Sequence, residues 1–287
     1  RDAQESRGLG DVYKRQDLSE WTIRHGVFSA PPQWAVDSIK GYEGHTWAPD
    51  IIYYKGNYHL FYSCSAFGKN TSAIGHAYRR TLNPDSDEPW TDTGAVIVSH
   101  ARDNFNAIDP NIVIDEEGNP WMTFGSFWGG IQLVRLTEDL TSTLKPEKLY
   151  TICTRQFEGA SDVPSRSVNS VEAPFIFKHG DYYYLFVSYD FCCRGLKSDY
   201  KVVVGRSTRV TGPYVDKDGR ELTRGGGSLV VDSNDEFVAI GHSAAYHFDG
   251  KDYFMAHGYS RSEDGASKLF FREMTWDEEG WPFVSAE

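Results

Sequence analysis

The stretch Ser170-Val171-Glu172-Ala173-Pro174, which leads into the aromatic-rich residues 175–188, decides the fold of this chain. It places a carboxylate at the start of a predicted strand. Lys178-His179-Gly180-Asp181 then has the composition of a tight turn, and a second strand rich in Tyr and Phe follows. The stretch therefore predicts a β-hairpin with an acidic side chain at the mouth of its first strand.

The same pattern of strand, glycine-containing turn and aromatic strand occurs three more times. The copies are Trp47-Ala48-Pro49-Asp50-Ile51 with the turn Lys55-Gly56-Asn57, Ala107-Ile108-Asp109-Pro110-Asn111-Ile112 with Glu117-Gly118-Asn119, and Gly241-His242-Ser243-Ala244-Ala245-Tyr246 with Asp249-Gly250-Lys251. The intervals from Pro49 to Pro110, to Pro174 and to Ala244 are 61, 64 and 70 residues. Repeated small sheets that cannot bury both faces alone predict a β-propeller, with a β-sandwich of coincidental hairpins as the alternative.

The spacing predicts an all-β fold, a five-bladed β-propeller whose first blade is truncated at its N-terminus. Blades two to five are predicted over about 47–98, 108–152, 171–222 and from 228 onward. The outer strand of blade four is predicted from Gly212 to Leu222, with Gly225-Gly226-Gly227 as a flexible connection. Residues 1–16 are polar and unlike the rest, which predicts a non-native or disordered leader. Residues 17–287 form the predicted single propeller domain, and 17–34 resemble the outer part of a first blade.

Composition excludes several kinds of protein. With 29 Lys and Arg against 41 Asp and Glu, the net charge of −12 argues against a nucleic-acid partner. No apolar run is long enough to span a membrane, and no signal peptide is visible. The four cysteines, which fit neither a zinc site nor a dense disulfide framework, are predicted to be free buried thiols: Cys64, Cys153, Cys192 and Cys193.

Two carboxylates stand at the starts of predicted inner strands, which converge on one channel in a propeller. Glycoside hydrolysis needs such a pair, because one group protonates the leaving oxygen and another activates water or attacks the sugar. Glu172 is the predicted general acid, since its apolar neighbours would raise its pKa. Asp109 lies in the corresponding place one repeat earlier, and its charge would act in the same direction. A solvated strand-end glutamate and a turn aspartate remain the alternatives.

Six motifs carry a resemblance to a known family. They are Trp47-Ala48-Pro49-Asp50-Ile51, Phe67-Gly68-Lys69-Asn70 with Ser72-Ala73-Ile74-Gly75, Asn106-Ala107-Ile108-Asp109-Pro110-Asn111, Gly125-Ser126-Phe127-Trp128-Gly129-Gly130-Ile131, Val171-Glu172-Ala173-Pro174 and Phe191-Cys192-Cys193-Arg194-Gly195. From about residue 17 to its C-terminus, the chain resembles glycoside hydrolase family 43 and, within it, the endo-1,5-α-L-arabinanases. The resemblance implies a five-bladed propeller and an inverting hydrolase acting on arabinan or arabino-oligosaccharides.

The resemblance also implies roles for individual residues. Glu172 matches the proton donor, and Asp109 matches the aspartate that tunes and orients it. The residues that match substrate-contacting positions are Gly75, Asn106, Ala107, Ile108, Ser126, Phe127 and Trp128. Trp47 and Trp128 are candidate stacking platforms for a furanose ring, although Trp47 could equally be a packing residue. His242 matches a histidine that faces a central ion, usually calcium, and no organic cofactor is expected.

One departure from the family is important. The family's base aspartate lies in a His-Asp-Pro-like motif on the first inner strand, and this sequence has no such motif. We therefore expect the chain as written to lack its base, and to be poorly stable and inactive. The resemblance further implies a secreted or periplasmic monomer. An α-L-arabinofuranosidase or β-xylosidase of the same family, a non-catalytic sugar-binding propeller and a protein-interaction propeller are the alternatives.

Overall fold

The structure, a computed structural model, describes residues 11–14, 22–83, 85–155 and 169–285. The described residues form two compact units. The N-terminal unit comprises 11–14, 22–83, 85–122 and 135–147, and the C-terminal unit comprises 123–134, 148–155 and 169–285. Only one α-helix is found among these residues, the six-residue α1 (Gln33–Ser38), so the described chain is essentially all β.

The N-terminal unit begins with a two-stranded antiparallel sheet of β1 (Asp11–Lys14) and β2 (Thr22–Gly26). Part of the predicted leader, 11–14, is therefore a strand that pairs with the chain beyond residue 17. The rest of that leader lies outside the described residues. The sequence also predicts a polar loop over 153–168 on the channel face, and most of that segment lies outside the described residues.

The first four-stranded sheet also belongs to the N-terminal unit. Its strands are β3 (Thr46–Tyr54), β4 (Asn57–Cys64), β5 (Ser72–Arg79) and β6 (Thr91–Ser99). They pair antiparallel in chain order. Lys55 and Gly56, which connect β3 and β4, both have positive φ (47° and 88°), the backbone that a two-residue hairpin turn requires. The predicted hairpin and outer strand of this blade are confirmed.

The second and third sheets have the same up-and-down order. The second contains β7 (Asn111–Ile114), β8 (Pro120–Phe124), β9 (Ile131–Arg135) and β10 (Leu149–Cys153). The third contains β11 (Val171–His179), β12 (Tyr182–Tyr189), β13 (Lys201–Ser207) and β14 (Ser228–Val231). Seven of the eight residues of β12 are buried, as expected for a strand covered on both faces.

The outer strand of the third sheet was predicted wrongly. The prediction placed it between Gly212 and Leu222, but β14 pairs with β13 instead. The glycine run leads into β14 as predicted, and its flexibility stays a prediction, but hydrogen bonds hold two of its residues. The Gly226 amide donates to the Glu221 carbonyl, and the Gly227 amide donates to Asp216 Oδ2 at 2.9 Å. A Cβ on Gly226 would lie 2.4 Å from the Arg220 carbonyl oxygen, so glycine is needed for close packing there.

The fourth sheet completes the C-terminal unit and is again antiparallel in chain order. Its strands are β15 (Phe237–Phe248), β16 (Lys251–Ser260), β17 (Ser267–Trp276) and β18 (Pro282–Val284). Two short 3-10 helices, Gly195–Lys197 and Leu222–Arg224, lie in the connections of the third sheet. Four antiparallel strands in simple up-and-down order are typical of the blades of a β-propeller.

Each unit has its own hydrophobic core. In the C-terminal unit the fully buried rings of Phe186, Phe254 and Phe270 join aliphatic residues of the third and fourth sheets. In the N-terminal unit, Tyr62 and Ala73 pack with residues of α1 and the chain that follows it. Burial of such side chains contributes about 1.5–3 kcal/mol each. The high aromatic content of the sequence is thus used largely for packing.

The cysteines divide into two pairs. Cys64 and Cys153 are free and buried, as predicted. The prediction of free buried thiols was wrong for Cys192 and Cys193, which form a disulfide with each other and are only partly buried. The bond joins residues that are adjacent in the sequence, with their Cα atoms 3.8 Å apart.

Candidate active site

Glu172 lies at the start of β11, inside a local irregularity of the strand. The register of β11 against β12 shifts between Glu172 and Phe175, which is a β-bulge. Ala173 within this bulge has φ of 53°, a left-handed value that is uncommon for a residue with a Cβ. Bulges of this kind re-aim the side chains next to them. The bulge therefore sets the direction of the Glu172 carboxyl group.

Two hydroxyl groups hold the Glu172 carboxyl group. Ser126 Oγ donates to Oε2 and the Tyr200 hydroxyl donates to Oε1, both at 2.7 Å. Glu172 is 3% exposed and Tyr200 is fully buried. Hydrogen bonds from hydroxyls to a carboxylate are short and strong, so this pair of donors fixes the orientation of the group. We call Ser126, Glu172 and Tyr200 the glutamate network.

The predicted segment from Ser126 to Trp128 lies directly against β11. Ser126 forms an isolated β-bridge with Glu172, and the Phe127 amide donates to the Val171 carbonyl at 2.8 Å. Phe127 and Trp128 both have positive φ (57° and 41°) and remain partly exposed. The structure thus brings three predicted substrate-binding residues next to the predicted acid, with two aromatic rings open to solvent.

His242 and His257 lie in the same unit as Glu172. The His242 amide donates to Ser188 Oγ at 2.8 Å, and Ser188 is paired with Glu172 across β11 and β12. Burial lowers the pKa of His242, although the negative charge of Glu172 acts in the opposite direction. Burial and the neighbouring His242 lower the pKa of His257 to about 3. Both imidazoles are therefore neutral at physiological pH.

The calcium predicted at His242 requires oxygen ligands, and a histidine side chain supplies none. Calcium takes six to eight oxygens, whereas a neutral imidazole offers one nitrogen. No group of three or more His, Cys, Asp or Glu side chains that could hold a metal ion occurs within residues 11–14, 22–83, 85–155 and 169–285. These residues do not fit a calcium site built from protein ligands, and the predicted ion stays a prediction.

Asp109 belongs to the N-terminal unit. It is 6% exposed, has φ of 58°, and its amide donates to Ser63 Oγ at 3.0 Å. Asn106 is held nearby in the sequence by a hydrogen bond from Ser72 Oγ to its Oδ1 at 2.7 Å. The Ala107 amide donates to Ser99 Oγ. Asn106, Ala107 and Ile108 are all buried, and the common channel predicted for Asp109 and Glu172 stays a prediction.

Trp47 and Gly75, both predicted to contact substrate, have evident packing roles. Trp47 is 8% exposed and pairs with Ser63 across β3 and β4. A Cβ on Gly75 would lie 2.4 Å from the Tyr62 ring, so glycine is the residue that lets this ring pack flat on β5. Neither position presents a large exposed surface to a sugar.

The assumed equivalence of Asp109 and Glu172 was wrong by one residue. The residues with positive φ at the repeated strand starts are Ala48, Asp109, Ala173 and His242. Asp109 therefore corresponds to Ala173, whereas Glu172 corresponds to Ile108 and Trp47. Register shifts at Trp47/Asp50, Glu172/Phe175 and Gly241/Ala244 show the same bulge in three sheets. The strand starts therefore share one backbone conformation, and the two carboxylates occupy adjacent positions in it. Asp109 is the residue with positive φ, and Glu172 is the residue before it.

Sequence reasoning missed Tyr200, which donates to Glu172, and His257, whose ring lies 5.9 Å from the ring of Tyr200. Tyr200 lies 28 residues after Glu172, just before β13, and no motif marked it. Its one signal is that Gly241 makes room for its ring: a Cβ there would lie 2.0 Å from Tyr200 Cδ1. Only the pairing of β12 with β13 brings Tyr200 back toward Glu172.

Comparisons with known proteins agree with this architecture. The family model described as glycosyl hydrolases family 43 matches residues 7–282. The extracellular exo-α-(1→5)-L-arabinofuranosidase ArbA of Cellvibrio japonicus is 46% identical over 275 residues, covering 95% of this chain and 79% of that protein. The extracellular endo-α-(1→5)-L-arabinanase 1 of Bacillus subtilis is 40% identical over 279 residues, covering 97% and 80%.

A solved structure extends the likeness to three dimensions. The α-L-arabinanase of Cellvibrio cellulosa has a TM-score of 0.91 and 46% identity, covering 96% of this chain and 88% of that chain. These likenesses define the chain as a glycosidase. The chain belongs to glycosyl hydrolases family 43. The predicted family and the all-β, propeller-type fold are confirmed, and the number of blades stays a prediction.

Within the described part of the chain, no helix combines the length and the apolar composition that crossing a membrane requires.

Proposed function

We propose that this chain hydrolyses the α-1,5-L-arabinofuranosyl linkages of arabinan, with Glu172 as its general acid, on a five-bladed propeller. The observation that carries the proposal is a buried carboxyl group at a strand mouth, with a hydroxyl donor on each oxygen. A general acid must present its proton to the glycosidic oxygen in a fixed direction. The bulge at Ala173 and the two donors provide that direction.

The reaction needs two further roles. In an inverting mechanism a second carboxylate activates water on the opposite face of the sugar, roughly 6.5–9.5 Å from the acid. We assign no described residue to that role. We assign Asp109 to tuning and orienting the acid, because the resemblance matches it to that position. The backbone amide of His242 contacts Ser188, which is paired with Glu172. The lowered pKa of His242 keeps its imidazole neutral, so that it does not take up the proton of Glu172.

The proposed substrate follows from the relatives and from the aromatic surface beside Glu172. A related solved structure is described as an α-L-arabinanase complexed with arabinohexaose. In this chain the partly exposed rings of Phe127 and Trp128 lie next to Ser126. Aromatic rings with an open face suit the apolar face of a furanose, so we propose both as stacking surfaces.

Internal cleavage of arabinan is the first candidate mode of attack, in keeping with the endo-acting relative from Bacillus subtilis. Release from a chain end is a second candidate, because the exo-acting ArbA is more similar, at 46% against 40% identity. We further propose that the protein acts outside the cell as a monomer. Both of these relatives are described as extracellular, and the Cys192–Cys193 disulfide suits an oxidising compartment.

The test compares the chain with its Glu172→Gln variant on linear arabinan and on an aryl α-L-arabinofuranoside with a good leaving group. Glu236→Gln, an exposed position in the same unit, is the matched control. Each assay is repeated with azide, which attacks the anomeric carbon without needing a base. We expect Glu172→Gln to lower arabinan turnover by about 10²–10⁴-fold and to affect the aryl substrate much less.

Unchanged arabinan turnover in Glu172→Gln would refute the role of Glu172 as the acid. The early products separate the two modes of attack. A mixture of oligosaccharide lengths indicates internal cleavage, and a single short product indicates attack from the chain end.

A further inference from the structure

The loop that carries the Cys192–Cys193 disulfide lies beside the aromatic surface proposed above. The Phe191 ring packs against Phe127 with 5.7 Å between ring centroids. The Arg194 guanidinium covers Phe191 at 4.1 Å from its centroid. Phe191 and Asp199 close the loop: the Phe191 amide donates to Asp199 Oδ1, and the Asp199 amide donates to the Phe191 carbonyl. Phe191 and Phe127 thus form one continuous aromatic wall.

A second set of contacts connects the disulfide to the glutamate network. The Cys193 amide donates to the Tyr259 hydroxyl at 2.7 Å, and Tyr259 is fully buried. The same hydroxyl is 3.3 Å from His257 Nε2. The His257 ring lies 5.9 Å from the ring of Tyr200, whose hydroxyl holds Glu172. A continuous series of contacts thus leads from Cys193 to the surroundings of Glu172.

The backbone conformation of Cys193 is unfavourable and needs a constraint to persist. Cys193 has φ of 66°, a left-handed conformation that costs roughly 1–2 kcal/mol for a residue with a Cβ. The disulfide closes a small ring that contains the 192–193 peptide bond, which removes most other conformations of Cys193. Without this ring, Cys193 is free to return to negative φ, and its amide then turns away from Tyr259.

We propose that the Cys192–Cys193 disulfide determines substrate affinity, by holding Cys193 in its left-handed conformation so that Phe191 and Phe127 stay together as a wall of the sugar site. This inference rests on the proposed function and adds a residue pair to its substrate site. Reduction by a dithiol breaks the Sγ–Sγ bond and gives two cysteine thiols, while the dithiol becomes a cyclic disulfide. The two electrons and two protons of the dithiol thus pass to the cysteines, and the wall loosens.

The chain is well suited to a selective test, because its other two thiols are protected. Cys64 and Cys153 are buried, and burial raises the pKa of both thiols to about 12. Thiolate is the reactive form of cysteine, so a thiol reagent acts on Cys192 and Cys193 after reduction and spares the other pair. Thiol counts before and after reduction verify this.

The experiment measures arabinohexaose binding by calorimetry to the oxidised chain, to the chain in dithiothreitol and to two double variants. Cys192→Ser with Cys193→Ser removes the bond, and Cys192→Ser with Cys193→Gly removes it but keeps left-handed backbone easily accessible. We expect the serine pair and the reduced chain to bind about tenfold more weakly, the effect of losing one ordered aromatic contact. The glycine variant should remain within about threefold of the oxidised chain. The serine pair in dithiothreitol controls for the reagent.

Hydrogen exchange of the Cys193 amide gives a readout that needs no sugar, and we expect reduction to speed it. Equal binding by the oxidised chain and the serine pair, or an amide equally protected after reduction, would overturn this proposal alone. Equally weak binding by both double variants would overturn the conformational reason given for it. An oxidised chain that binds no arabino-oligosaccharide at all would overturn the proposed function, and this inference with it.

Discussion

The two units each contain a polar network with buried members, and the two networks differ in their chemistry. In the N-terminal unit, His59 Nδ1 lies 2.9 Å from His76 Nε2, and His76 Nδ1 lies 2.7 Å from Thr93 Oγ1. His59 Nε2 approaches the Tyr54 carbonyl at 3.2 Å. We call His59, His76 and Thr93 the histidine network. In the histidine network His59 and His76 are buried and Thr93 is exposed, whereas the glutamate network of the C-terminal unit is buried at all three residues and contains a carboxyl group.

The histidine network is complete as a set of neutral groups. A carbonyl only accepts, so His59 carries its proton on Nε2 and accepts from His76 at Nδ1, while the Thr93 hydroxyl donates to His76. Each N–H of the two rings then has an acceptor, either the Tyr54 carbonyl or His59 Nδ1. In the glutamate network both hydroxyls donate to one carboxyl group. We therefore expect the histidine network to serve stability, and the glutamate network to serve the chemistry proposed for Glu172.

The largest effect expected from this comparison is a pH dependence of the protein's stability that arises in the histidine network. Burial, and then the charge of His59, lower the pKa of His76 from 6.5 to about 3. The unfolded chain therefore binds a proton that the folded chain does not. The contribution of His76 is complete above pH 6.5 and is lost as the pH falls toward 3. By pH 4.5 we expect a loss of about 2–3 kcal/mol in the free energy of unfolding.

Urea unfolding of the chain and of His76→Gln between pH 7 and 4.5 measures this loss. Glutamine retains hydrogen-bonding groups toward His59 and Thr93 but does not titrate, so the variant should show a flatter pH profile. If the two proteins lost stability equally as the pH falls, protonation of His76 in the folded chain would cost no free energy. The Thr93 hydroxyl also lies 3.1 Å from the His76 carbonyl, so it has an alternative acceptor to the His76 ring. Burial of the ring, rather than the bond from Thr93, is therefore the dominant cause of the expected loss of stability.

The hairpins of the four sheets were predictable from sequence because their signals are local. A glycine turn between two aromatic or β-branched runs fixes strand positions, and β11 and β12 lie where residues 170–188 predicted them. Outer strands were harder to predict. The prediction chose the segment from Gly212 to Leu222 over β14, since hydrogen bonds across the sheet, rather than composition, select the partner of β13.

The site was predictable to the extent that it follows motifs. Glu172 and Ser126 each belong to a recognisable stretch, and the structure joins them at 2.7 Å. Tyr200 and Tyr259 are single residues without a motif, brought to the site only by strand register. The Cys192–Cys193 disulfide escaped prediction for another reason: adjacent thiols and an adjacent disulfide have the same sequence.

The next effect in size concerns the glutamate network. Tyr200→Phe removes the hydroxyl that donates to Glu172 Oε1 and keeps the ring, so we expect arabinan turnover to fall about tenfold, the worth of one buried hydrogen bond. Tyr214→Phe is the matched control, because Tyr214 is also fully buried and its hydroxyl donates to the Val210 carbonyl at 2.8 Å. Both variants should lose about 1 kcal/mol of stability.

Two measurements distinguish the roles of the two tyrosines: turnover of arabinan, with azide added where no base acts, and thermal unfolding. If Tyr214→Phe lowered turnover as much as Tyr200→Phe, the loss would reflect general destabilisation, and the distinction between a catalytic and a structural network would fail.

The smallest effect concerns what the two networks have in common. The sheets that hold them begin with the same bulge, in which Ala48 (φ 33°) and Ala173 (φ 53°) occupy equivalent left-handed positions. Glycine relieves this conformation in the folded state but adds freedom to the unfolded chain, so Ala48→Gly and Ala173→Gly should each change stability by less than about 1 kcal/mol, toward stabilisation. Ala73→Gly, in a part of β5 that is buried and keeps its register with β6, should instead destabilise by about 1 kcal/mol or more.

Urea unfolding of the three variants tests this prediction. A loss at Ala48 and Ala173 as large as that at Ala73 would mean that the bulges are not under strain. The shared backbone of the repeats would then not explain how Glu172 is aimed.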